Sequence, residues 1–291
     1  MMARTDVLDL LLDPMAYGFM QRGLVAALLV GVVCAVMGTF VVLKGLAFIG
    51  DAVSHAAFPG LVIAYIIGAP LYIGGAVAAI ATALAIGLVT RRSRLRFDTS
   101  VGVLFAGTFA FGVMLFSTIK GYVADLLGYL LGNVLGIGVG DLIQVAILGA
   151  IVLVIVLAIR KELLFATFDP LGAAASGLPV TGLEYLLLAL LGVTIVVSIQ
   201  AVGIIMVVSM LVTPAATAQL LVIRFGRMMA VAVVLAGVSA VLGLYLSYYL
   251  NLASGASIVL VETLFFVIAL MLGPKTGLLS RPGRRAATVE A

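Results

Sequence analysis

The sequence carries little charge for its length. Asp, Glu, Lys and Arg make up only 10% of its 291 residues, while 65% are hydrophobic and the mean hydropathy is +1.36. This composition excludes a soluble globular protein, whose solvated surface needs more charged side chains. The sequence predicts an all-α polytopic membrane protein, with one membrane domain over residues 21–273 because no linker of domain size interrupts the apolar runs.

Several residue types and motifs that mark other functional classes are also scarce. Cys34 is the only cysteine and His55 the only histidine, so a disulfide framework and a histidine-rich metal cluster are excluded. No H-E-x-x-H, nucleophile elbow or GxxxxGK[ST] phosphate loop occurs, so any ATP hydrolysis must take place on another polypeptide. The net charge of +4 indicates topology, not nucleic-acid binding.

Nine apolar runs are long enough to cross a bilayer, which takes about 20 helical residues each. The predicted spans are 21–43, 46–68, 71–89, 99–119, 141–159, 183–200, 202–222, 229–250 and 256–273. An eight-span arrangement, with one segment of half length, is the main alternative.

The distribution of basic residues predicts the orientation. With nine spans and the N-terminus outside, thirteen of the sixteen Lys and Arg residues fall on one side, which is then cytoplasmic. Residues 1–20 become an amphipathic extracytoplasmic lead-in, and residues 274–291 a basic cytoplasmic tail that we expect to be disordered. The basic run at 91–97 is predicted to meet anionic lipid headgroups or a cytoplasmic partner.

Asp51 and His55 lie four residues apart in the stretch FIGDAVSHAAFPG. On a helix this spacing places both side chains on one face, about 10 and 16 Å inside the cytoplasmic end of the span. Ionisable groups at such depth usually mark a pathway or site. A carboxylate with an imidazole suits Mn, Fe or Zn, and the carboxylate share favours manganese.

This pair also has a structural interpretation. Asp51 follows Gly50 and could cap a broken helix, with His55 hydrogen-bonded to its carboxylate. As metal ligands, two side chains fall short of the four that a stable site normally uses. A second copy across a two-fold axis would supply the missing ligands, so the metal interpretation predicts a permease dimer with modest affinity.

A short helix is predicted in the loop 160–182, outside the bilayer. Asp169 and Pro170 form a helix start and Gly177 a helix stop, which predicts two to three turns suited to docking a soluble partner. An ordinary loop helix is the alternative interpretation.

Fewer inferences rest on the remaining polar residues of the spans. Pro214, Asn133 and Glu262 are candidate gate or pathway residues, although Glu262, six residues from the predicted outer boundary, fits an interfacial carboxylate better. Residues 120–142 predict a re-entrant or interfacial helix. Their GVGD stretch echoes the G-x-G-D of intramembrane aspartyl proteases, but Asp141 falls at a segment edge and Asp51 lacks the expected preceding tyrosine.

Five stretches in order resemble the membrane permeases of the manganese/zinc/iron class of bacterial ABC importers. They are MGTFVVLKGLAFIGDAVSHAAFPGLVIA, ADLLGYLLGNVL, FDPLGAAASGL, LEYLLLALLGVTIVVSIQAVGIIMVVSMLVTPAATAQLL and ASIVLVETLFFVIALML. Together they cover nearly the whole chain. The resemblance implies a multi-pass protein of the bacterial inner membrane, a non-enzymatic permease subunit that pairs with a second, identical or homologous permease.

The resemblance also assigns partners and residues. It implies a cytoplasmic ATP-binding subunit dimer, an extracytoplasmic metal-binding protein, no permanently bound cofactor, and Mn, Zn or Fe as the transported substrate. Asp51 and His55 match metal-coordinating positions. The coupling-helix position is matched by Phe168, Asp169, Pro170, Ser176 and Gly177, with a departure at Leu171-Gly172, where members often carry a carboxylate. A proton-coupled carrier and, more distantly, an intramembrane aspartyl protease are the alternatives.

Overall fold

The structure, a computed structural model, describes residues 13–93, 95–119 and 134–272, and these contain helices but no strands. A 3₁₀ turn at Pro14–Ala16 precedes the first helix, and another lies at Val134–Gly136. The helices are α1 (Gly18–Leu43), α2 (Ala47–Ala56), α3 (Phe58–Ile67), α4 (Leu71–Arg92), α5 (Phe97–Phe116), α6 (Val139–Ala158), α7 (Arg160–Phe168), α8 (Pro170–Ala175), α9 (Val180–Val202), α10 (Ile204–Leu221), α11 (Phe225–Leu250) and α12 (Ser254–Leu272).

Nine helical stretches in these described ranges are long and apolar enough to cross a membrane, with α2 and α3 forming one of them. The predicted nine spans are thereby confirmed over the eight-span alternative. Their ends differ by a few residues from the prediction: α1 begins at Gly18 and α4 continues through Arg91 and Arg92. Helix α10 begins at Ile204, two residues after the predicted start of its span, because Gly203 adopts φ +82°, a conformation that glycine tolerates best.

Three predicted segments fall wholly or partly outside the described residues. They are the first twelve residues of the lead-in, most of the predicted interfacial helix together with Asn133, and the tail 274–291.

The centre of the bundle is formed by α1, α9 and the α2–α3 span. In each, 72% of the most apolar window is buried, compared with 17% in α5 and 22% in both α6 and α12. Met37 and Phe40 of α1, with Ile195 and Ile199 of α9, are among the largest fully buried side chains. The outer helices leave apolar side chains exposed, as lipid contact allows.

Glycines bring neighbouring helices into close contact at two crossings. A Cβ at Gly60 of α3 would overlap the carbonyl oxygen of Gly74 on α4, and a Cβ at Gly74 would overlap that of Gly60. A Cβ at Gly38 of α1 would likewise overlap the carbonyl oxygen of Leu211 on α10. These contacts match the way in which small residues drive helix association in lipid. They hold α3 against α4 and α1 against α10.

Gly60→Ala is expected to destabilise the membrane domain by about 1–3 kcal/mol, the usual cost of overpacking. Gly107→Ala on α5 is the matched control, since nothing lies within 4 Å of its added Cβ. There the higher helix propensity of alanine, up to about 1 kcal/mol, should leave stability unchanged or raised. Thermal unfolding of the two purified variants in detergent measures the difference, and equal unfolding temperatures would contradict the crossing.

Ion pairs join three spans at one end of the bundle. Glu184, near the start of α9, lies 3.5 Å from Lys44 Nζ at the end of α1 and accepts a 2.9 Å hydrogen bond from Arg91 of α4. The three residues border a cavity of about 450 Å³ whose wall also includes Thr167 and Pro170 of the α7–α8 segment. The basic ends of α1 and α4 and the α7–α8 segment therefore lie at the same end.

Candidate metal site

Helix α2 has one face in the protein core and one outside it. Ile49, Ala52 and Val53 are buried, and Gly50 packs so closely that an added Cβ would lie 2.9 Å from Leu211 Cδ2. The opposite face carries Asp51 and His55, whose side chains are 53% and 33% exposed. Both groups lie on one face of α2, as their helical spacing predicts, and this face points away from the core.

The structural interpretation of Asp51 as a helix cap is wrong. The N-cap of α2 is Leu46 and the helix begins at Ala47, so Asp51 lies in the helix interior. His55 Nε2 lies 3.6 Å from Asp51 Oδ1, which is beyond hydrogen-bond distance. The carboxylate and the imidazole are therefore neighbours with lone pairs free for a shared ligand.

Two phenyl rings from α5 hold the imidazole of His55. The centroids of Phe105 and Phe109 lie 5.6 and 5.5 Å from the centroid of the His55 ring, with Phe109 in an edge-on arrangement. The aromatic row continues through Phe58 and Phe116. The ring of His55 thus has an apolar wall on one side and Asp51 on the other, which restricts its orientation.

A single chain offers an incomplete set of metal ligands. No group of three or more His, Cys, Asp or Glu side chains that could hold a metal occurs among the residues that the structure describes. Asp51 and His55 can provide one or two oxygens and one nitrogen, a ligand type suited to divalent first-row metals. The remaining ligands of a four-coordinate site would have to come from outside this chain.

The predicted docking helix is α8, and its ends follow the predicted signals. Asp169 Oδ1 accepts a 2.8 Å hydrogen bond from Gly172 N, Pro170 occupies the first turn, and Gly177 ends the segment with φ +85°. Ser176 Oγ donates to the Gly172 carbonyl oxygen at 2.9 Å. With six residues, α8 is shorter than the two to three turns expected, because cap and stop lie so close together.

Exposed apolar side chains flank the start of α8. Phe168 is 67% exposed and Leu171 is 84% exposed. Apolar side chains that project this far into solvent are typical of a protein-binding surface. At Leu171, where the resemblance implies a carboxylate, the chain therefore presents an exposed apolar side chain.

Glu262 is not the interfacial carboxylate that its position in the sequence favours. It lies in the middle of α12, is 2% exposed, and accepts a 2.5 Å hydrogen bond from Ser209 Oγ of α10. Ser209 Oγ also lies 3.4 Å from Thr213 Oγ1. The predicted boundary lies within two residues of the start of α12, but an apolar run shows only where a span lies and not which of its faces is buried.

The contacts of Pro214 and Asp141 indicate structural roles for both residues. Pro214 lies buried inside α10, which continues on both sides of it. Asp141, in the first turn of α6, accepts hydrogen bonds from Gly138 N at 3.3 Å and from Gln200 Nε2 at 2.6 Å. Asp141 is thus engaged as a helix cap tied to α9, an arrangement that does not favour a protease role.

Sequence reasoning missed the partners of the predicted site. The Phe105, Phe109 and Ser209 side chains come from segments distant in sequence from the residues they contact. The spacing of Phe105 and Phe109, one helical turn apart, was the available signal that they share a face.

Comparisons with known proteins place this geometry in a family. The model of the ABC 3 transport family matches residues 16–273. The manganese transport system membrane protein MntC of Halalkalibacterium halodurans is 44% identical over 279 residues, covering 95% of this chain and 96% of that protein. The chelated iron transport system membrane protein YfeD of Yersinia pestis is 44% identical over 263 residues, covering 90% of this chain and 88% of that protein.

A solved structure shares the fold. PsaBC from Streptococcus pneumoniae, determined in complex with Fab, superposes with a TM-score of 0.82 at 34% identity, covering 93% of this chain and 98% of the matched chain. The family match covers all nine spans of the described residues. The chain is a multi-pass membrane protein and belongs to the ABC 3 transport family.

Proposed function

We propose that the chain is the permease subunit of an ATP-driven importer for divalent transition-metal ions, with manganese favoured as the substrate. Relatives named for manganese transport and for chelated iron transport support this substrate class. The carboxylate and imidazole of Asp51 and His55 suit both metals. Zinc fits the same ligands, but it does not appear in the names of these two relatives.

The observation that carries the proposal is the outward face of α2. Asp51 is the fifth residue of the span formed by α2 and α3, and its side chain is 53% exposed. A charged side chain that faced lipid inside a span is costly, up to about 2.5–3.5 kcal/mol at the centre on insertion scales. Coverage by a second protein surface, or by a metal ion and water between two surfaces, removes this cost.

We propose that a second permease subunit packs over the face of α2 that carries Asp51. Across a two-fold axis, two copies of Asp51 and His55 would provide two oxygens and two nitrogens, enough for a four-coordinate metal. Phe48, 72% exposed on the same face, adds apolar area for such an interface. In this arrangement the metal passes between the subunits as they alternate between outward-open and inward-open states.

The ATP-binding subunits are proposed to dock at α8. The exposed Phe168, at the end of α7, and Leu171 of α8 lie at the end of the bundle where Lys44 and Arg91 meet Glu184. This end is the predicted cytoplasmic side, which places the N-terminus outside and the C-terminus inside. An extracytoplasmic binding protein would deliver the metal to the opposite end.

Uptake of radioactive manganese by cells that carry the permease, the ATPase and the binding protein tests the proposal. We expect uptake to require a hydrolysis-competent ATPase and excess iron to compete with manganese. A matched strain with the phosphate-loop lysine of the ATPase replaced by alanine should accumulate no manganese above background. Undiminished uptake in that strain, driven by a proton gradient, would instead support a proton-coupled carrier.

A further inference from the structure

An open groove runs along the surface of the bundle between α4 and α9. It has a volume of about 960 Å³, and its α4 wall consists of Ala81, Leu84, Ala85 and Leu88. These four residues follow the i, i+3, i+4, i+7 spacing and therefore form one apolar stripe along α4. From Ala81 to Leu88 the stripe extends about 10 Å, roughly a third of the hydrocarbon core of a bilayer.

The groove ends in basic and hydroxyl side chains. Arg91 and Arg92 from α4 border this end, together with Thr181 and Tyr185 from α9. Arg91 Nη1 donates to Glu184 Oε2 at 2.9 Å, which leaves its other N–H groups for a further acceptor. The side chain of Arg92 is exposed and makes no hydrogen bond or ion pair with the residues that the structure describes. Two arginines thus border this end of the groove, and only one of them is neutralised by a carboxylate, which suits a phosphate oxygen.

We propose that this α4–α9 groove binds an anionic phospholipid, with an acyl chain along Ala81–Leu88 and the phosphate at Arg91 and Arg92. Along the groove an apolar stripe is followed by two arginines, just as the acyl chain of such a lipid is followed by its phosphate. An apolar channel at membrane depth leads to a positive charge at the membrane surface, where basic sites between helices bind anionic headgroups. An extended protein segment would leave backbone N–H and C=O groups unpaired in the apolar part, which the hydrocarbon region of a bilayer disfavours.

The proposed lipid would contact the bundle end that carries α7 and α8. Arg91 and Tyr185 line the groove and also the cavity of about 450 Å³ beside Pro170. A headgroup on Arg91 therefore lies next to the ion pair that joins α1, α4 and α9. Bound lipid should stabilise these helix ends against unfolding.

Native mass spectrometry of the purified full-length chain, titrated with phosphatidylglycerol, tests the proposal. Arg92→Gln should weaken binding of the first lipid about fivefold, corresponding to about 1 kcal/mol for one basic contact. Arg224→Gln, which removes an exposed arginine at the start of α11, is the matched control and should bind like the unsubstituted protein. Ala85→Trp should block the acyl part of the groove and weaken binding without changing the charge.

Each contrary result overturns the site. Equal binding of phosphatidylcholine would show that charge plays no part, and competition by free glycerol phosphate alone would show a soluble phosphate ligand. Equal weakening by Arg92→Gln and Arg224→Gln would show general surface attraction. Cross-linking of Leu88 to another protein chain would show that the groove is a protein interface. A shift of the unfolding temperature by phosphatidylglycerol that is smaller in Arg92→Gln than in Arg224→Gln at the same lipid concentration completes the positive result.

Discussion

Manganese uptake is expected to fall by at least about 10- to 100-fold when Asp51 is replaced by Asn, because even residues that only orient a metal ligand cause losses of that size. Asn keeps the size of the side chain but removes the charge that attracts a divalent cation. His55→Gln should produce a similar loss. Since Asp51 is half exposed and does not hydrogen-bond to His55, neither change should impair folding.

The control for this experiment is Asp98→Asn. Asp98 is exposed in the first turn of α5, so the substitution removes the same charge from a helix that also packs beside the site. Uptake in this variant should be normal. Membrane levels and co-purification with the ATPase, measured for all three variants, separate loss of transport from loss of assembly. If both Asp51→Asn and His55→Gln accumulated manganese normally, the metal site would lie elsewhere.

Leu171→Asp is expected to weaken binding of the ATPase at least about 30-fold, since apolar anchors at the centre of an interface contribute about 2 kcal/mol or more. Leu171 is 84% exposed, so a charge there leaves the fold of the permease unaffected. Manganese uptake should be lost in parallel. Pull-down of the ATPase by the tagged permease, quantified against permease concentration, measures the effect.

Leu252→Asp provides the comparison for this second experiment. Leu252 is 48% exposed in the connection between α11 and α12, at the opposite end of α11 from Arg224. The same chemical change at that end should leave ATPase binding intact. Equal loss of binding in both variants would indicate a general defect in the permease, and equal retention would remove α8 from the proposed docking surface.

The elements that the sequence predicts well are those encoded within one continuous segment. The nine spans follow from the length of their apolar runs, and α8 follows from Asp169, Pro170 and Gly177 within ten residues of each other. The placement of Asp51 and His55 on one face follows from helical spacing alone. In each case neighbouring residues carry all the information.

The features that could not be predicted depend on which face of an apolar helix meets another helix. The middle of α12 is apolar on all sides, so no periodicity indicates that Glu262 faces Ser209 in the core. Phe105 and Phe109 contact His55 across about fifty residues of sequence, and Glu184 joins Lys44 and Arg91 from three separate spans. Such contacts arise from packing, which composition and spacing do not determine.

The division of one span into α2 and α3 has a mechanical consequence at the depth of the proposed metal ligands. Pro59 has no N–H to donate to the carbonyl oxygen of His55, so the helix lacks one backbone hydrogen bond at the residue that carries the imidazole. Tilting α2 about Ala57 therefore breaks one hydrogen bond fewer than tilting an uninterrupted helix, a saving of about 0.5–1.5 kcal/mol. Such a tilt would move the proposed metal ligands relative to α3, which the Gly60–Gly74 contact holds against α4.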